Sequence, residues 1–212
     1  MARDSIDRAE LEQEVASCVA SHAALVAELR SLTDVDPLRR SALPGWSIGH
    51  VLTHIARNAD SHLDLLAGRP RYPSAVSRNH DIDAGAARTW TQLVDDVEST
   101  AAAADAAYET HVDWTGVAST MAGDRPVTML PLLRQREVEV HRTDLGFGHG
   151  FDDMPHDYVR RDLRLMEMLW RARKPMGLTA LPVEALAVDP PTRLAWLMGR
   201  TAVDGLDPAG LF

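Results

Sequence analysis

The sequence predicts a mainly α fold: an antiparallel four-helix bundle over residues 1–150 and a small C-terminal α/β appendage over residues 151–212. Three observations predict it. Four long stretches repeat apolar residues at helical spacing through the first two-thirds of the chain. Proline and glycine punctuate the gaps between them. Beyond Gly150 the pattern breaks into shorter pieces, one with strand-like alternation.

The first helix is expected from about Ser5 to Leu32, rich in Ala, Glu and Leu. It ends before Asp36-Pro37, because a residue preceding proline is driven out of helical conformation. Pro44-Gly45 marks a turn and Ser47 caps the second helix. Ile48, Val51, Leu52, Ile55, Ala59 and Leu66 set that helix's apolar stripe until Gly68 and Pro70 stop it. A connector with Pro70 and Pro73 follows. The third helix is expected from about Asp83 to Tyr108, and its alanine run, Ala101 to Ala104, suits close packing. After a loop around Gly116 to Pro126, Thr128 caps a fourth helix that Gly146 and Gly148 end. In the appendage, a helix from about Pro155 to Arg173 and a break at Pro175 and Gly177 come first. LPVEALAV then reads as a short strand and TRLAWLMGR as an amphipathic piece. This tail is too short for a full core of its own, so Trp196 is expected to anchor it on the bundle.

The 212 residues suffice for one good core plus the appendage, and 45% hydrophobic with 25% charged residues is an ordinary globular composition. No apolar run approaches the length of a bilayer span, and MARDSIDRAELEQEV lacks a signal-peptide pattern. The single cysteine, Cys18, rules out an intrachain disulfide and falls in a helical pattern as a small buried hydrophobe. Together these point to a cytoplasmic protein with no membrane partner. A net charge of −9 argues against nucleic acid as a partner.

The chemistry concentrates in LPLLRQREVEVHRTDLG, Leu130 to Gly146. Glu137 and His141 stand four apart, so a helix stacks them on one face, along a stripe with Leu130, Leu133, Val140, Asp144 and Leu145. Such a pair serves either as a hydrogen-bonded couple or as two ligands for a divalent metal. A third ligand comes from GWSIGHVLTHIA. His54 falls on the shoulder of the apolar stripe of the second helix, whereas His50 lies nearly opposite its centre and is expected at a solvated boundary. His54, Glu137 and His141 give three ligands without cysteine, the pattern of catalytic zinc sites that keep one position open. The same set binds several other divalent ions. Arg134 is either a second anion contact or an i,i+3 ion pair with Glu137, and Asp144 either orients an imidazole or caps the helix end. Trp46, Trp90 and Trp114 are expected in packing. His22, His62, His80, His111, His149 and His156 lack ligand spacing and are expected on surfaces or loops.

GWSIGHVLTHIA, LPLLRQREVEVHRTDLG and the C-terminal AWLMGR, in that order, resemble the mycothiol-dependent maleylpyruvate isomerase family. The resemblance implies a DinB-like four-helix bundle holding zinc through His54, Glu137 and His141. It also implies a role in activity for Arg200, which ends AWLMGR; a guanidinium there suits a substrate carboxylate or developing enolate, and equally suits a helix C-terminus. The implied reaction is addition of a metal-held mycothiol thiolate to the cis double bond of maleylpyruvate, bond rotation, and elimination to the trans product. Implied partners are a small thiol and a small electrophile, with the chain a monomer or homodimer. Two other functions fit the same residues: a mycothiol S-transferase that consumes the thiol, and a non-enzymatic zinc-bearing regulatory bundle. The sixty or so residues after Gly150 are few for the family's α/β domain, so part of its sheet is expected to be reduced.

Overall fold

The structure, a computed structural model, describes residues 7–69, 72–120, 123–173 and 179–211. The expected helix start at Ser5, the stop at Pro70 and the break at Pro175 and Gly177 lie outside the described residues. The chain forms two compact units, Met1–Phe147 and Gly148–Phe212.

The first unit is the helical bundle. Asp7 caps α1 (Arg8–Ser31) through its carboxylate, and Ser47 caps α2 (Ile48–Leu66). A helix not expected from the sequence, α3 (Ala75–Gly85), starts at the Ser74 cap inside the supposed connector. It escaped the periodicity because Ile82 is its one buried residue. Thr89 then caps α4 (Trp90–Thr110), several residues later than expected. The expected loop around Gly116 to Pro126 is a hairpin of β1 (Val117–Thr120) and β2 (Gly123–Pro126), paired Val117 with Pro126 and Thr120 with Gly123. A 3₁₀ turn at Val127–Met129 leads into α5 (Leu130–Asp144). Thr128 therefore does not cap this helix: Met129 holds the cap position without a side-chain bond, and Pro131 is at the helix start.

The packing is layered. One apolar cluster joins Leu25 and Leu29 of α1, Ile48 to Ala56 of α2, Leu93 to Val97 of α4, and Val138 with Leu145 near α5. A second joins Leu11, Cys18, Tyr108, Trp114, Ala118, Val127 and Leu130. Both α2 and α4 run from the first cluster to the second, and both α1 and α5 run the other way. α2 and α4 thus run in the same direction, as do α1 and α5; the two pairs are antiparallel to each other, and the segment bearing α3 returns the chain between α2 and α4.

A polar belt separates the clusters. Buried His22 bonds Asp105 at 2.5 Å through Nδ1 and accepts from Arg134 at 2.9 Å through Nε2. Gln135 donates to Ser17 and Ser21 of α1, and Ser21 donates to Glu139 at 2.5 Å. Buried His62 meets the Tyr108 hydroxyl at 2.6 Å. His22 and His62 are therefore core residues rather than the surface residues expected, because apolar periodicity does not register a polar side chain whose partner arrives from another helix.

The second unit holds α6 (His156–Ala172), α7 (Val183–Ala187) and α8 (Pro190–Leu197). The expected strand LPVEALAV is a helix: Pro182 occupies the N-cap, and Leu181 and Ala185, four apart, are the buried pair. No strand occurs among the described residues of this unit. It has its own core, in which Trp196 packs on Trp170 at 4.9 Å between ring centroids and donates to Asp207 O at 3.1 Å.

Burial pushes the His62 imidazole down from 6.5 to about 3. The unfolded chain takes up this proton near pH 6.5 and the folded chain refuses it, so the contribution is present above pH 6.5 and is lost as pH falls towards 3. His62→Gln should therefore flatten the fall in unfolding free energy between pH 7 and pH 4, measured by urea titration. Parallel curves for the two proteins would contradict it.

Candidate metal centre

Two helices build the centre. At the start of α2 the Ser47 N–H donates to His50 Nδ1 at 3.2 Å while the Ser47 hydroxyl accepts from the His50 N–H, which commits His50 to capping. One turn later His54 points inward with its side chain 6% exposed. From α5, Glu137 and His141 stand one turn apart, 30% and 14% exposed.

The three expected ligands converge. Their donor atoms all lie within 4.8 Å of one another. Glu137 Oε2 is 2.8 Å from His54 Nε2 and 3.4 Å from His141 Nε2, and the imidazole rings meet edge to face at 4.6 Å. A tetrahedral ion with bonds of about 2.0–2.1 Å holds its ligand atoms roughly 3.3 Å apart, so little movement separates these positions from ligation. Two nitrogens and one carboxylate oxygen suit zinc, and other divalent ions as well.

The surroundings favour a cation at this point. Asp144, 2% exposed, sits 2.8 Å from His141 Nδ1 and fixes that ring with Nε2 turned to the centre. Asp144 thus orients an imidazole, the first of its two expected roles. Burial alone would lower His141, but Asp144 and Glu137 raise it overall. Burial alone would raise Glu137, yet hydrogen bonds from His141 and His54 hold its carboxyl well below the usual range. Burial lowers His54 to about 4 against the opposing pull of Glu137, which keeps the ring neutral at physiological pH. The Arg78 guanidinium donates to His54 Nδ1 at 2.9 Å, so the ring proton is on Nε2 and points at Glu137.

Arg134 does not join this group. It shares a helix face with His141 two turns away, but there the face runs inside the bundle, and Arg134 is 0% exposed. Its Nε donates to His22, and its Nη1 donates to Ile55 O and Asn58 Oδ1, so neither the expected anion contact nor a pair with Glu137 forms. The buried face of α5 passes through Arg134, Gln135, Val138 and Glu139 and leaves Leu133 half-buried, which turns Glu137 to its edge. Arg200 belongs to the second unit. It follows Gly199 (φ +70°) at the end of α8, with its N–H on Ala195 O and Nη1 on Met198 O at 2.8 Å, the expected helix-end arrangement.

Two neighbours of the centre were missed in the sequence. Trp46, expected in packing alone, stands edge-on to His54 at 5.5 Å. Arg78 lay in the supposed connector, where only the Ser74 cap hinted at a helix. If Asp144 braces a ligand, Asp144→Asn should weaken zinc binding about 10–100-fold in competition with a chromophoric chelator. Unchanged affinity would contradict that bracing.

Among proteins of curated function, none matches the chain. The crystal structure of a mycothiol-dependent maleylpyruvate isomerase is similar to it in fold, with TM-score 0.78, 22% sequence identity and 90% of each chain covered. A histidine-to-alanine mutant of such an isomerase gives TM-score 0.78 and 21% identity over the same shares. The match over 90% of that chain leaves little room for the shortening expected after Gly150. Residues 18–146, which carry α2, α5 and all three candidate ligands, match the mycothiol maleylpyruvate isomerase N-terminal domain, and the chain belongs to that family.

Proposed function

We propose that this protein is a zinc- and mycothiol-dependent isomerase of maleylpyruvate or a similar small cis-enoic diacid. The observation that carries the reading is the convergence of His54, Glu137 and His141 in a family of this name. A divalent metal at these residues would supply a Lewis-acidic position at which a thiol sulfur is held deprotonated at neutral pH.

The chain's own residues do the rest. His54 and His141 present Nε2 to the centre from different helices, and Asp144 keeps a proton on His141 Nδ1. Glu137 supplies one negative charge, which lowers the net charge of a divalent centre without cancelling it. Trp46 packs against the His54 ring at 5.5 Å between centroids and adds to its burial. Arg200 is proposed as the clamp for a substrate carboxylate or enolate, because a guanidinium meets a planar oxyanion at two points.

A regulatory zinc bundle that releases its metal on oxidation needs cysteine at the centre. Cys18 lies instead in the other apolar layer, with burial pushing its thiol up to about 12. Isomerisation and S-transfer differ in the fate of the thiol, returned in the first and consumed in the second.

The test is conversion of maleylpyruvate with and without mycothiol, on zinc-loaded and chelated protein. Turnover should need both, with mycothiol undiminished at the end. Arg200→Ala should keep zinc and lose about a hundredfold or more in kcat. Stoichiometric loss of thiol would indicate a transferase, and full activity of Arg200→Ala would remove the clamp.

A further inference from the structure

The position of Arg78 follows from how α3 docks on α2. The two helices run antiparallel and touch backbone to backbone. A Cβ on Gly49 would lie 2.0 Å from Ala86 O, and one on Gly85 would lie 2.5 Å from Thr53 Cγ2. His50 Nε2 is 3.6 Å from Asp83 Oδ1, and Ile82 is wholly buried. Arg78 is one turn before Ile82 and two before Gly85, on the same face, so it arrives at His54, one turn beyond His50.

The contact it makes there runs opposite to what a metal ligand needs. A ligating imidazole donates its second N–H to an acceptor. His141 has that arrangement, with Asp144 at its Nδ1. His54 has the reverse: a guanidinium, which has no acceptor atom, occupies its Nδ1. When His54 ligates through Nε2 its remaining proton moves to Nδ1, where two donors would face each other. Arg78 must then leave the ring.

The freed group is a cation that, among the described residues, is bound to no carboxylate. Among the described residues its other hydrogen bond goes to Asn79 Oδ1 at 3.1 Å, an uncharged acceptor. The neighbouring arginines differ, since both Arg57 and Arg88 are bound to Asp96. Arg78 is also half-buried on a helix surface, with a long side chain able to swing. A divalent ion, the Glu137 carboxylate and a thiolate sum to zero charge, so a dianionic substrate, one of whose carboxylates Arg200 is proposed to clamp, leaves its second carboxylate without a counter-charge.

We propose that Arg78 is the anion-binding arm of the centre: it rests on His54 Nδ1 and leaves that atom to pair with a substrate carboxylate when His54 ligates through Nε2. This rests on the reading that His54, Glu137 and His141 hold a divalent cation, and adds to it a positioning and specificity role for α3. Arg78 opposes metal binding in the absence of an anion and couples the two when both are present.

The probes are zinc alone, in competition with a chromophoric chelator, and maleate, titrated calorimetrically into zinc-loaded protein. Arg78→Ala should bind zinc about tenfold more tightly, since a donor that opposes ligation is gone. It should bind maleate about tenfold more weakly, with the charged partner lost. Arg78→Lys, which keeps the charge and a donor, should return both constants towards those of the wild type. Zinc affinity that is unchanged or weaker in Arg78→Ala overturns the proposal, and so does unchanged maleate affinity. A wild-type protein with these dependences that isomerises nothing defeats the proposed function and leaves the arm standing. A wild-type protein that retains no zinc defeats both.

Discussion

The Glu137 carboxylate, set between the imidazoles of His54 and His141, is the interaction on which the rest of this structure turns. One oxygen lies within 2.8 Å of the first ring and 3.4 Å of the second. It ties α2 to α5 where both helices line the first apolar cluster, and it supplies the negative charge that makes a cation acceptable between the two rings. Remove that charge and His141 keeps one carboxylate neighbour while His54 keeps none among its hydrogen-bond partners, Glu137 aside. Burial would then leave two imidazoles with no reason to share a position.

The belt beneath the centre explains how this geometry holds its register. Apolar clusters above and below tolerate sliding and rotation, because hydrophobic contact has no direction. The bonds of Arg134 to His22, Ile55 O and Asn58, and of Gln135 to Ser17 and Ser21, fix α5 against α1 and α2 at defined heights. A helix fixed there delivers Glu137 and His141 one to two turns further on at a set rotation. Directional polar contacts of this kind specify one arrangement where apolar packing admits several.

The long elements and the three converging side chains were legible in the sequence because they obey local rules. Ser47 caps, Pro37 breaks, and apolar spacing at 3.6 places His54 on the inner shoulder of α2 and His50 off it. What was not legible depends on partners from elsewhere in the chain. The burial of His22 and His62 is compensated by other helices, so their polarity misled the expectation of exposure, and partners on α1 and α2 draw Arg134 away from the anion contact or Glu137 pair expected of it. Helix α3 buries one side chain and therefore carries no stripe to detect, although it brings Arg78 to the centre. LPVEALAV alternates weakly enough to suit a strand, while Pro182 at its start and the Leu181–Ala185 spacing favour the helix observed.

The account stands on three side chains from two helices sharing one divalent ion. X-ray absorption at the zinc edge of the loaded, thiol-free protein tests this directly. It should report two imidazoles and further oxygen donors at about 2.0–2.2 Å, with the imidazole signature reduced in His54→Ala. A sulfur neighbour at about 2.3 Å in the thiol-free protein would contradict the account, as would a spectrum that His54→Ala leaves unaltered.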